Sequence, residues 1–304
     1  QLRSMGSSDT AVGVFVFDVN QDGNEDIIAT DMSDGVYFYE SDGVGGFTEN
    51  PVDEVMSGAY DVWVEDINED GYYDILAAAG WSDEIVWYEN DGSENFTRHQ
   101  IDGSLDYATI VTAGDLDEDG DIDVVGGNIG SDDEFAIYWN DGSENFTKEQ
   151  LATSNGSARD AYLADVDSDG DLDIFTVEQN SPDSFKLWTN DGTGSFTSEG
   201  IDTGALNTIH VDDIDGDGDM DVALTNMGAF TIDWYENTDG LGSYTENSGA
   251  LSGLSSTRGA HIVDLDGDGD MDLMASGQTE EVIVWGENDG SENFTKRTVV
   301  SGHK

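Results

Sequence analysis

A nine-residue stretch that occurs six times constrains this chain more than any other feature. Its fullest form is DLDGDGDMD, Asp264 to Asp272, and the other copies begin at Asp18, Asp66, Asp115, Asp165 and Asp213. Each copy has an acid at positions 1, 5 and 9 and a glycine at position 6. Position 3 is Asp in four copies and Asn in two, Asn20 and Asn68. Carboxylates crowded in so tight a turn repel: a pair about 5 Å apart costs roughly 3 kcal/mol at an effective dielectric near 20. A hard cation with oxygen ligands removes that penalty, and Ca2+ accepts about six to eight oxygens from a compact loop.

The pattern predicts side-chain ligands at positions 1, 3, 5 and 9 and a backbone carbonyl at position 7. The first two loops then offer Asp18, Asn20, Asp22, Asn24 and Asp26, and Asp66, Asn68, Asp70, Tyr72 and Asp74. The third and fourth offer Asp115, Asp117, Asp119, Asp121 and Asp123, and Asp165, Asp167, Asp169, Asp171 and Asp173. The last two offer Asp213, Asp215, Asp217, Asp219 and Asp221, and Asp264, Asp266, Asp268, Asp270 and Asp272. About six Ca2+ per chain are expected, with the Asn-bearing loops weakest because affinity follows ligand charge. An EF-hand is excluded. It needs Glu at position 12, where these copies have Ala29, Ala77, Gly126, Thr176, Leu224 and Ala275. The flanks alternate like strands, as in Val14, Val16 and Asp18, and are not helical.

Successive copies start 48, 49, 50, 48 and 51 residues apart, so six units of about 50 residues fill the 304-residue chain. The expected organisation is one domain, 1–304, with repeats near 10–58, 59–106, 107–156, 157–205, 206–255 and 256–304. Within each unit a first strand enters the loop and a short apolar run leaves it. A third strand carries Phe38, Trp87, Trp139, Trp188, Trp234 or Trp285. An Asn-Asp-Gly turn such as Asn90 to Gly92 signals a hairpin. A fourth strand opens at Phe47, Phe96, Phe146, Phe196, Tyr244 or Phe294, each followed by Thr. Four antiparallel strands per unit make an all-β protein, and apolar inner strands favour a ring in which each sheet is covered by its neighbours. The expected architecture is a six-bladed β-propeller with one calcium loop between strands 1 and 2 of each blade.

The DxDxDGxxD loops, the following WYENDG (Trp87 to Gly92) and the Phe-Thr opening of the fourth strand resemble FG-GAP/VCBS-type propeller repeats. The calcium-binding blades of integrin α-subunit heads are similar at the metal loop. The resemblance covers about residues 10–300. It implies metal loops on one face of the propeller and ligand binding on the opposite face.

The formal net charge is −59, and 22 of the 68 acids are Asp at side-chain ligand positions, so the metal loops leave most of the acidity unexplained. Such a surface disfavours nucleic acid and anionic membranes and suits high salt, as in a halophilic or marine source. No Cys is present, so there is no disulfide framework. No apolar run reaches membrane-span length. Six calcium sites point to an extracellular or cell-surface location.

Ligand candidates come from aligning the repeats. Six residues before each loop lie Val12, Tyr60, Thr109, Arg159, Asn207 and Arg258, which include two of only nine Lys and Arg. Arginine suits bidentate capture of carboxylate or sulfate, and a neighbouring acid such as Asp160 would compete for it. Loop aromatics Trp81, Tyr107 and Phe230 add to this set. Three residues before each loop, Phe15, Trp63, Thr112, Tyr162, His210 and His261 read as packing between blades rather than catalysis. The third-strand tryptophans read as inter-blade core. Asn95, Asn145, Asn293 and Asn155 match the N-glycosylation pattern, but three of these coincide with the repeat's own Phe-Thr. No nucleophile triad, phosphate loop or zinc motif is present. The expected function is adhesion or targeting through a glycan or protein ligand, as a monomer or as a module of a larger surface protein. The alternatives are a polysaccharide lyase or hydrolase and a structural unit of a surface layer or filament.

Overall fold

The computed structural model describes residues 11–130, 134–153, 157–179, 184–254, 256–277 and 282–301. Among the described residues, twenty-four strands pair in chain order into six antiparallel four-stranded sheets. Blade 1 holds β1 (Ala11–Phe17), β2 (Asp26–Asp31), β3 (Gly35–Ser41) and β4 (Phe47–Asp53). Blade 2 holds β5 (Ala59–Glu65), β6 (Asp74–Ala79), β7 (Glu84–Asn90) and β8 (Phe96–Asp102). Blade 3 holds β9 (Ala108–Gly114), β10 (Asp123–Asn128), β11 (Glu134–Asn140) and β12 (Phe146–Thr153). Blade 4 holds β13 (Ser157–Ala164), β14 (Asp173–Gln179), β15 (Phe185–Thr189) and β16 (Thr197–Asp202). Blade 5 holds β17 (Leu206–Asp212), β18 (Asp221–Asn226), β19 (Thr231–Asn237) and β20 (Tyr244–Leu251). Blade 6 holds β21 (Thr257–Val263), β22 (Asp272–Gly277), β23 (Val282–Asn288) and β24 (Phe294–Ser301). The chain forms two compact units, Gln1–Ser154 and Asn155–Lys304, with three blades in each.

The cores lie between neighbouring sheets, because a single four-stranded sheet cannot cover its own apolar faces. In the first unit, Ile28 and Phe38 of blade 1 pack with Val62, Ile75 and Val86 of blade 2. The opposite face of blade 2, with Leu76, Ile85 and Trp87, packs with Val111 and Val124 of blade 3. In the second unit, Phe175 and Val177 meet Ile209 and Val222, and Ala223 and Trp234 meet Ile262 and Leu273. β2 and β22 keep half-buried positions on one face, but β6 and β10 are covered on both faces and every residue in them is buried. That is why they read as continuous apolar runs rather than alternating ones.

Phe15 and Trp63 pack ring to ring at 4.8 Å, Tyr162 and His210 at 5.7 Å, and His210 and His261 at 5.1 Å. Each pair joins adjacent blades, the packing role expected of this position. Burial, and then the neighbouring His261, pushes His210 down to about 4, so its ring is neutral at pH 7. The third-strand aromatics are less uniform than expected. Phe38, Trp87 and Trp234 are buried, but Trp139, Trp188 and Trp285 are half-buried. Trp139 and Trp188 donate their indole N–H to Glu149 and Thr176, and Arg297 lies over the Trp285 ring. An indole can satisfy its N–H at a sheet's polar edge, so position alone does not make it core.

Antiparallel pairing in chain order fixes the two ends of each blade. The loop between first and second strands and the turn between third and fourth share one end. The loop between second and third strands and the link between blades share the other.

Candidate metal centres and an aromatic cluster

The loop of blade 2 illustrates how each Asp-rich turn is built. Asp66 accepts the Asp70 amide on Oδ1 at 3.1 Å and the Gly71 amide on Oδ2 at 2.9 Å. Asn68 Oδ1 accepts the same Asp70 amide at 3.1 Å. The contact from the position-6 glycine amide to the position-1 carboxylate recurs in all six loops. Those glycines have φ between 90° and 104°, a left-handed region that penalises a Cβ.

The position-9 aspartate has a second task that the spacing did not reveal. Asp74 Oδ2 accepts the Ile67 amide at 3.1 Å, and Oδ1 accepts the Asn90 amide at 2.8 Å. Asn90 donates to the Tyr73 carbonyl at 3.1 Å and accepts the Gly92 amide at 3.1 Å. One carboxylate thus ties the metal loop to the end of the third strand. The bonds to Asp26, Asp74, Asp123, Asp173, Asp221 and Asp272 repeat in every blade, and all six side chains are at most 1% exposed. Burial pushes Asp74, Asp123 and Asp221 up to about 7 and Asp173 to about 6, against the lowering effect of their amide donors. It raises Asp26 as well.

Four loops gather three carboxylates with ligand atoms within 4.8 Å of one another: Asp115, Asp117 and Asp123; Asp165, Asp167 and Asp169; Asp213, Asp215 and Asp221; Asp264, Asp266 and Asp272. The loops with Asn20 and Asn68 lack the position-3 carboxylate. Asp115 Oδ1 and Asp167 Oδ1 are buried without a hydrogen-bond partner. A buried carboxylate oxygen with no donor is costly unless a cation faces it, so the donor set fits a hard metal ion. Position-7 side chains, among them Tyr72, Asp121 and Asp171, lie against the glycines of their blade's third-to-fourth turn, Gly92, Gly142 and Gly192.

The six expected ligand-site residues fall into two groups of three, one in each unit. In the first unit the Trp81 indole donates to the Tyr107 hydroxyl at 3.3 Å, and the Tyr60 and Tyr107 rings meet edge to face at 6.3 Å. Tyr60 opens β5, Trp81 lies between β6 and β7, and Tyr107 precedes β9, so all three sit at the blade end away from the metal loops. Trp81 is 53% exposed. A Cβ on Gly58 would lie 2.6 Å from Trp81, and one on Gly80 would lie 2.9 Å from the Tyr107 ring, so the rings rest on bare backbone. Tyr107 itself has φ 60°, with its amide held by Asp83 Oδ1 at 2.9 Å.

In the second unit Asn207 donates to the Arg258 carbonyl at 3.3 Å, and the Arg258 side chain is exposed. Arg159 donates to Gln179. Asp160 accepts the Ala161 and Ile209 amides, each at 2.9 Å, and so joins blades 4 and 5. Phe230 is 47% exposed. Of the glycosylation-pattern residues, Asn95, Asn145 and Asn293 donate to the turn carboxylates of Asp91, Asp141 and Asp289. Asn155 lies outside the described residues.

The FG-GAP-like repeat model matches residues 18–77, 66–126, 115–176, 165–223 and 213–275, each span running from one metal loop through the next. No curated protein matches the sequence. Among solved structures, the chain is similar to a Lactobacillus plantarum protein at 13% identity and TM-score 0.65, covering 95% of this chain and 84% of that one. It is similar to the WD40 β-propeller domain of Doa1 at 14% identity and TM-score 0.64, covering 97% and 84%. The SapL1 lectin, solved with α-methyl fucoside, matches at 13% identity and TM-score 0.58, covering 97% and 96%. At such identities the likeness is one of fold alone. With its six four-stranded blades and repeat matches along most of its length, this chain belongs to the FG-GAP-like repeat family of β-propellers.

Proposed function

We propose that this protein is an extracellular or cell-surface glycan-binding module whose blades are stabilised by Ca2+ in all six loops. The carrying observation is the Tyr60–Trp81–Tyr107 cluster, where three residues distant in sequence converge on one loop end. The C–H faces of a pyranose ring are apolar and pack on aromatic faces, while hydroxyl and indole groups fix orientation. A half-exposed Trp propped on glycine backbone is preorganised for such a contact and loses little freedom on binding. One structure with the same fold is a lectin in complex with a fucoside, and a sugar ligand for this chain is our proposal from the cluster. The net charge of −59 turns away nucleic acid and anionic membranes. It also favours neutral or cationic ligands in the first unit, leaving Arg258 for an anionic group in the second.

A glycan array run at several salt concentrations tests the reading. Saturable retention without product is expected, and Trp81→Ala should abolish it while calcium content and melting temperature stay unchanged. Retention untouched by Trp81→Ala overturns the site, and turnover of a bound polysaccharide would favour a lyase or hydrolase.

A further inference from the structure

The turn between third and fourth strands reaches the metal loop of the preceding blade. Asn20, at position 3 of the blade 1 loop, donates its Nδ2 hydrogen to Glu94 Oε1 in the blade 2 turn at 3.3 Å. Beside it, Gln21 donates to the Gly71 carbonyl at 2.8 Å, fixing one metal loop against the next. The relation recurs in the second unit. Glu292 of the blade 6 turn lines one cleft with Asp213 and Asp215 of the blade 5 loop. The blade 5 turn sits on the blade 4 loop, with Asn237 donating to the Val166 carbonyl at 3.0 Å.

Glu94, Glu144 and Glu292 share one repeat position, held by glycine in the other blades at Gly45, Gly194 and Gly242. All six have positive φ, from 53° to 60° for the glutamates and from 74° to 90° for the glycines. The backbone at this position suits glycine, yet three blades carry a long acid there. Two of these follow the two loops in which position 3 is Asn: Glu94 stands against Asn20, and Glu144 follows Asn68 by the same one-blade step.

We propose that Glu94, and Glu144 by repeat equivalence, are positioning residues for calcium in the preceding blade. This rests on the calcium reading of the loops. Asn20 Oδ1 accepts the Asp22 amide at 3.1 Å from inside the loop, while its Nδ2 is held outside by Glu94. The glutamate thereby locks the amide with oxygen inward, the orientation a cation requires. It also returns to the site the negative charge that Asn withholds. Outer partners of this kind typically alter metal affinity about 10–100-fold. The Asn-bearing loops are therefore stronger than their own ligands imply, and filling of the blade 1 site depends on the seating of blade 2.

The test is site-resolved. Crystals of the full chain, equilibrated at graded free Ca2+, give the occupancy of each loop separately, with the Asp165 loop as internal reference. Glu94→Gly is the main variant, because glycine occupies this position in other blades and suits the φ. It should raise the free Ca2+ for half-filling of the Asp18 loop about tenfold. Glu94→Gln, which keeps an acceptor but loses the charge, should raise it about threefold. Adding Asn20→Asp to Glu94→Gln should restore wild-type filling. Unchanged filling of the Asp18 loop in Glu94→Gly overturns the proposal, and failure of Asn20→Asp to rescue overturns its charge component. If the Asp165 loop also stays empty at saturating Ca2+, the calcium reading itself falls, which is a distinct outcome.

Discussion

Tyr88 of β7 donates its hydroxyl hydrogen to Asp53 Oδ2, 2.9 Å away at the last residue of β4. Asp53 also lies 3.4 Å from Arg98 Nε, and Arg98 Nη2 reaches Glu84 at 2.6 Å. A buried phenol, a carboxylate of the preceding blade and a cation from the next strand together join two blades. Burial and the Asp53 charge hold the Tyr88 phenol above its usual range, so it stays a donor. Tyr88→Phe leaves a buried carboxylate one donor short. We expect a loss of about 2 kcal/mol and a melting temperature lower by about 5 °C, read by calorimetry with excess Ca2+.

The same arrangement recurs with one member changed. Tyr138 donates to Asp102 at 2.8 Å with Lys148 at 3.3 Å from the same oxygen, and Tyr235 donates to Asp202 at 2.5 Å. Arg98 and Lys148 pair across the strands with Tyr88 and Tyr138, but the partner of Tyr235 is Glu246. Burial raises Glu246, with Asp202 and Asp233 adding repulsion. Glu246→Lys replaces repulsion with a pair. At this exposed site we expect about 0.5–1 kcal/mol and a rise of about 2 °C. A fall in melting temperature would count against the comparison between blades.

Asp61 should make stability depend on pH. Its carboxylate accepts the Val62 amide at 2.9 Å and the Val111 amide of the next blade at 3.0 Å. Burial still pushes it up to about 6, above its ordinary 3.8. A raised carboxylate favours folding while protonated, so its contribution is fullest below pH 3.8 and declines as pH rises through about 6. Asn mimics the protonated acid. The stability of Asp61→Asn relative to wild type should therefore climb between pH 4 and pH 7 and then level off. Urea melts of both proteins in excess Ca2+ read the difference, and a flat difference would refute the assignment.

Calcium should govern the melting temperature. A ligand that binds only the folded state adds RT ln(1 + [L]/Kd), about 1.4 kcal/mol per site at tenfold excess and about 8 kcal/mol for six. We expect close to six Ca2+ per chain by metal analysis. Chelation at low salt should lower the melting temperature by well over about 10 °C, with partial rescue in molar NaCl through screening. Two or fewer ions, or a melt indifferent to EDTA, would refute the role of the loops.

Arg258 offers a prediction for the second unit. Arg258→Ala should weaken binding of sulfated or carboxylated glycans about tenfold, and Arg258→Lys should recover only part, because the bidentate fork is lost. Calcium content should not change. Equal binding by all three forms would move the anionic subsite elsewhere.

The metal loops and strand order were legible because their signals are local. Asp18 to Asp26 lie within one turn, and the aromatic-Thr pair of each fourth strand follows its Asp-Gly turn at fixed spacing. What escaped depends on groups brought together by folding. Tyr88 and Asp53 are 35 residues apart, and neither type in isolation marks a clasp. Asn90 looked like turn punctuation, although its backbone N–H and side-chain amide both brace the metal loop, donating to Asp74 and to the Tyr73 carbonyl. Tyr60, Trp81 and Tyr107 were candidates for separate reasons, and only the glycine backbone beneath them reveals that they form one cluster.

Each buried aspartate that anchors a metal loop takes its amide partners from no more than 17 residues away, inside its own repeat. A duplicated segment of about 50 residues would therefore arrive with its ion cradle already anchored, leaving only the outer contact from the following blade's turn to its neighbour. Copy number in such genes can change by unequal crossing-over without rebuilding any site from parts. Meanwhile the loops at the far end, which contribute nothing to the cradle, are free to diverge toward new ligands. A lineage can then explore recognition and array length as separate variables.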